Sequence, residues 1–163
     1  MAITRYICCA KTVISAACFI FIAAAAILLP GCSNNVFPPL PDDVPAIPFG
    51  ESIYSDEEKD DGYLTIEYNG RVYAPYGTIS RSVRAKDVDE CIGYLYREEF
   101  KDDRSIRLYT LVRDTKRDYI MEKTDGFVLM DQPIFWRAVD TRGKDIYTPD
   151  FIYSLDYDLW KNE

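Results

Sequence analysis

Tyr63-Leu-Thr-Ile-Glu-Tyr68, then Asn69-Gly70, then Arg71-Val-Tyr-Ala-Pro-Tyr76 is the stretch that decides the fold class. Two runs rich in β-branched and aromatic residues flank an Asn-Gly pair. Both residues of that pair tolerate positive φ, as a two-residue type I′ hairpin turn requires. The register that follows sets Ile66 opposite Tyr73 and Leu64 opposite Pro75. Pro75 has no amide donor, so its strand is expected to be an edge there or to end near it.

Outward from this hairpin, turn signals recur every eight to twelve residues, the spacing of a small all-β domain. Residues 85–92 predict a short helical turn and 93–97 a strand. Residues 105–113 alternate well, with Ile106, Leu108, Thr110 and Val112 on one side. Further strands are expected at 117–123, 127–130 and 133–139, with a turn at Thr124-Asp125-Gly126. Thr148-Pro149-Asp150 reads as a cap with proline at the first helical position, which predicts a short helix from Pro149. The expected fold is mainly β (or α+β): a small antiparallel sheet or open barrel over residues 62–163, with a short C-terminal helix.

The 163-residue chain is 48% apolar and 28% charged, with a net charge of −8 and no histidine. Such a composition is that of a folded chain, and the length allows one ordinary domain. Without histidine there is no Ser-His-Asp or Cys-His catalysis and no imidazole metal ligand. The acidic balance opposes nucleic-acid binding, which needs a basic face to neutralise phosphates.

Residues 1–31 carry no acid and two bases, Arg5 and Lys11, ahead of the apolar run TVISAACFIFIAAAAILL at 12–29. A basic start, an apolar stretch and a small residue before a break form a secretory leader. Leu29-Pro30-Gly31-Cys32 resembles the lipobox of bacterial lipoproteins, with Pro30 departing from the small residue usual at that place. The resemblance implies cleavage before Cys32, a diacylglycerol thioether on its sulfur, and residence in the cell membrane or outer membrane, facing away from the cytoplasm. An uncleaved anchor is the alternative, since about 18 apolar residues is near the minimum that spans a bilayer. Loss of Arg5 and Lys11 with the leader makes the remainder two charges more negative still.

Residues 33–50 contain Pro38, Pro39, Pro41, Pro45 and Pro48, and 51–62 contain a run of acids. Proline at this density favours extended polyproline geometry. The domain plan is therefore a leader (1–31), a lipidated cysteine with a proline-rich and acidic tether (32–61), and a globular head (62–163). Aligning Gly62 with the glycine of an EF-hand loop puts Lys59 and Tyr68 at ligand positions, so the calcium reading fails and no metal is expected. Beyond the leader and Cys32, one cysteine is left: Cys91, flanked by Asp89 and Glu90 and expected in the core.

Searching for chemistry yields few groupings. No phosphate-cradling glycine loop, Cys-x-x-Cys pair or Gly-x-Ser-x-Gly elbow occurs, and no cofactor is implied. Asp140, Asp145 and Asp150 bracket a loop that interleaves Arg142 and Lys144. Two such carboxylates are the minimum for acid/base hydrolysis, although a charged surface hairpin uses the same residues. Tyr63, Tyr73, Tyr76 and Tyr96 fall in predicted strands and offer broad faces with polar tips, suited to a protein or glycan surface or to simple packing. Phe135-Trp136 reads as a core pair. Asn69 to Tyr76 is similar to the opening of copper-amine-oxidase N-terminal-like domains, but the Leu-Arg and the helix that follow there are absent, and no family is assigned to the head. The expectation is a membrane-tethered, non-enzymatic binding or accessory module for an envelope protein or glycan; the alternative is a carboxylate-dependent envelope hydrolase.

Overall fold

The computed structural model describes residues 36–54, 62–125 and 132–161. The leader, Cys32 and the strand expected at 127–130 lie outside the described residues.

The Asn-Gly hairpin forms as its turn chemistry dictates. β4 (Ile66–Tyr68) and β5 (Arg71–Ile79) pair with Ile66 opposite Tyr73, and Asn69 and Gly70 take φ of 51° and 72°. Leu64 stays outside the ladder, and Pro75 instead faces Trp136 of β9 (Ile134–Ala138). At Pro75 β5 is an edge on one side, as expected, although the strand itself runs on to Ile79. β9 lines one side of it, while β4 and then β10 (Ile152–Ser154) line the other. Pro75 falls in the gap between those two, where no ladder partner needs its missing amide. Its carbonyl accepts a hydrogen bond from Trp160 Nε1 at 2.8 Å.

Among the described residues eight strands form one sheet. β1 (Ala46–Pro48) runs parallel to β6 (Val88–Tyr96). From β6 the order continues through β7 (Ile106–Leu111), β8 (Tyr119–Thr124), β9 and β5, all antiparallel. A bridge between Phe49 and Ile66, with Gly50 N donating to Thr65 O at 2.7 Å, brings β1 against β4. The sheet thus nearly closes as a barrel. β2 (Ile53–Tyr54) and β3 (Gly62–Tyr63) form a separate two-stranded ribbon.

The alternation of side chains across each strand builds two layers. Ile47, Ile66, Tyr73, Ile92, Leu108, Ile120 and Trp136, one from each of the seven barrel strands, fill the interior. Residues of the opposite parity, among them Cys91, Tyr109, Leu111, Tyr119, Met121 and Phe135, form an outer layer. Phe37, Leu40, Val83, Ile146 and Phe151 cover that layer. Each aliphatic side chain buried this way contributes about 1.5–3 kcal/mol. Cys91 is buried with a free thiol, whose pKa burial pushes up.

Three expectations change. The folded unit begins at Val36 and not at residue 62: Phe37 and Leu40 pack on the outer layer, and residues 46–48 of the expected tether are a sheet strand. No helix starts at Pro149. Ile152 N turns back to Pro149 O, and Ile152 then pairs with Ile79, because the sheet offers Phe151 and Ile152 an apolar bed that a short helix lacks. The C-terminal helical element is a single 3-10 turn, Asp158–Trp160, held by burial of Leu159 and Trp160. Finally, the helical turn expected over 85–92 shrinks to Ala85–Asp87, because Val88, Cys91 and Ile92 are taken into β6. Among the described residues no helix is long and apolar enough to cross a membrane.

Candidate functional site at the barrel mouth

The strand alternation that fills the barrel also sets a carboxylate in its mouth. In β8, Tyr119 and Met121 point outward and Ile120 points inward, so Glu122 also points inward, near the end of the strand. Trp136 lies opposite Ile120 on β9, diagonal to Glu122, and its Nε1 donates to Glu122 Oε2 at 2.8 Å. Burial pushes the Glu122 carboxyl above the ordinary glutamate value, while the indole N–H and the charge of Arg97 oppose that rise.

Around this pair opens a cleft of about 430 Å³. That is within the range of small-ligand sites. Arg97 and Glu122 are its charged groups. Phe49, Tyr63, Trp136 and Tyr157 are its aromatic ones. Four separate elements bring these rings together: β9 supplies Trp136, β1 continues into Phe49, β3 ends in Tyr63, and the segment after β10 supplies Tyr157. The Tyr63 and Tyr157 rings meet edge to face at 5.7 Å, and Phe49 lies tilted on Trp136 at 6.4 Å. Such a site stacks on an apolar face while the Glu122 carboxylate accepts, and the Arg97 guanidinium donates, hydrogen bonds.

The three aspartates singled out from sequence do not share one cleft. Asp140 is held by Arg71, Nη2 to Oδ1 at 2.7 Å and Nε to Oδ2 at 3.1 Å, and this hydrogen bonding keeps its carboxyl below the usual range. Asp150 is gripped in the same way by Arg81 at 2.7 and 3.3 Å, with the same direction of shift. Asp150 lines a second cleft, of about 360 Å³, alongside Arg81, Arg113 and Tyr147. Asp145 borders a smaller third one near Asp114 and Asp118. Among the described residues no group of three or more acids and cysteines is placed to hold a metal ion.

The four tyrosines are likewise separated. Tyr63 reaches the mouth. Tyr73 fills the interior, with its hydroxyl donating to Arg117 O at 2.9 Å. Tyr76 is half-buried in the outer layer beneath the Arg137 guanidinium, 5.2 Å from its ring. Tyr96 ends β6 opposite Pro48. Glu122, Arg97, Phe49 and Tyr157 were not singled out from sequence. A signal for Glu122 did exist, since it lies two residues from Ile120 and so shares the face of that apolar residue in the strand. The rings of the mouth come from segments far apart in the chain, and nothing local marks them as neighbours. No family model matches the chain, and no curated protein or solved structure matches it either.

Proposed function

We propose that this chain is a lipid-anchored, extracytoplasmic binding module that holds a segment of an envelope protein or glycan in its barrel mouth. The leader with its Leu29-Pro30-Gly31-Cys32 end supports the location. The single observation that carries the binding reading is the aromatic-rimmed cleft around Glu122 and Arg97. A hydrolytic role for Asp140 and Asp150 has less support: each is fixed in an arginine pair that lowers its pKa, whereas a general acid at neutral pH needs the opposite shift.

The test is binding of the isolated partner or glycan, recovered by crosslinking in intact cells, to the wild type and to Tyr63→Ala/Tyr157→Ala. Both rings are half-buried on the rim, so their loss leaves the barrel interior intact. The double variant is expected to bind at least about tenfold more weakly, the equivalent of ~1.4 kcal/mol. Unchanged affinity would remove the mouth from the account. Asp140→Asn/Asp150→Asn is expected to bind normally.

A further inference from the structure

One oxygen of the carboxylate in the mouth is left without a partner. Trp136 Nε1 holds Glu122 Oε2 at 2.8 Å, whereas Oε1 accepts no hydrogen bond from the described residues and stays open to the cleft. Arg97, the cation that lines the cleft, is engaged elsewhere. Its Nη2 pairs with Asp103 Oδ2 at 3.1 Å, and its guanidinium lies over the Phe100 ring at 4.8 Å. A carboxylate drawn out of water loses solvation that a positive charge close by restores best. Burial has already pushed the Glu122 carboxyl upward.

We propose that the mouth takes a lysine side chain of a polypeptide partner, with the ammonium on Glu122 Oε1 and the methylene stem along the aromatic rim, Leu95 and Ile106. The proposal deepens, and rests on, the reading of the mouth as the binding site. Lysine carries both parts that the cleft asks for, an apolar stem and a charged tip. The rings add a second attraction, since a cation near an aromatic face is drawn by the ring quadrupole. The protein uses that contact for its own cations, with Arg104 over Tyr94 at 5.2 Å and Lys123 over Phe37 at 5.5 Å. A guanidinium fits less well, because its fork engages both carboxylate oxygens and the indole already holds one.

Charge over the whole chain points to the same ligand class. A net charge of −8 steers cationic segments towards the molecule and repels anionic glycans. An uncharged glycan stacks on the rings and offers hydroxyl donors, but it brings no charge to Oε1. Between the two ligand classes the cleft therefore favours a protein segment.

The test follows the two tryptophan indole N–H signals by NMR in the full-length chain, held in dodecylmaltoside micelles near neutral pH. Trp136 reports the mouth through its bond to Glu122, and Trp160, bonded to Pro75 O, reports that the barrel is intact. Blocked alanine peptides with a central lysine, arginine or norleucine are titrated in turn, followed by chitotriose. The lysine peptide is expected to move the Trp136 signal to saturation. The norleucine peptide and chitotriose are expected to bind at least about tenfold more weakly, as is the lysine peptide to Glu122→Gln. Equal affinity for lysine and norleucine, or undiminished lysine binding by Glu122→Gln, would overturn the proposal. An arginine peptide as tight as the lysine one would overturn the choice of an ammonium. If the Trp160 signal shows a disturbed fold in Glu122→Gln, the lysine and norleucine peptides decide on the wild type alone. Saturable movement with norleucine or chitotriose but none with lysine removes the cation and keeps the mouth as a binding site. No movement with any probe removes both.

Discussion

Arg71 ties three segments together at the end of the barrel away from the mouth. Its guanidinium pairs with Asp118 at 2.9 Å and Asp140 at 2.7 Å, and it donates to the carbonyls of Lys116 and Arg117. The two carboxylates differ in consequence, because the Asp118 side chain is 9% exposed and that of Asp140 57%. Arg71→Met strands Asp118 and two carbonyls, and is expected to cost about 2–4 kcal/mol. Asp140→Asn is expected to cost under about 1 kcal/mol, as an exposed pair does. Urea unfolding checks both, and equal losses would contradict the assignment of Arg71 as an anchor. Glu122 gives a second test, in pH. A carboxyl raised by burial binds protons more tightly in the native state than in the unfolded one. Stability therefore falls as pH rises from the ordinary value of 4.5 through the native one. Asp114, also raised by burial, adds a fall of the same sign from its own ordinary value of 3.8. Glu122→Gln is expected to flatten the decline above pH 4.5 without abolishing it. A urea midpoint series from pH 4.5 to 7 with identical slopes in both proteins would show that Glu122 is not desolvated.

Among the elements, β1 is the one whose loss opens the barrel, and its contact with β6 depends on a glycine. A Cβ at Gly93 would stand 2.6 Å from Pro45 O and 3.0 Å from Ile47 Cδ1. Gly93→Ala therefore pushes β1 outward, with an expected cost of about 1–3 kcal/mol. Hydrogen exchange is expected to quicken at residues 46–50 while β7 and β8 stay protected; uniform protection would contradict the close approach. This strand also shows where reading from sequence stops. The β4–β5 hairpin was readable because two adjacent residues, Asn69 and Gly70, set both turn and register. The strands at β7, β8 and β9 were readable from residue type and alternation. β1 is three residues long and bounded by Pro45 and Pro48, and its partner is more than forty residues away. Its pairing is decided by Ile47 entering the interior, which no local pattern announces. The candidate site divides in the same way: parity points to Glu122, whereas assembly of Phe49, Tyr63 and Tyr157 around it depends on closure.

For the molecule as a whole, the proline-rich segment is part of the folded body. A chain starting at residue 62 lacks Phe37 and Leu40 on the outer layer, Ile47 inside, and the Phe49–Ile66 bridge. It is expected to lose cooperative thermal unfolding, followed by circular dichroism. A chain starting at residue 33 should unfold in one transition. Full stability in the shorter chain would return residues 36–54 to the role of a linker.

The most direct measurement of the mouth as the binding site is photocrosslinking in intact cells from p-benzoylphenylalanine. It is placed singly at Tyr157 on the rim or at Tyr147, which borders the second cleft. The account predicts a discrete adduct from position 157 that is absent from 147 and is lost when Glu122→Gln and Tyr63→Ala are combined. An adduct from 147 alone, or one from 157 that survives both substitutions, would contradict it.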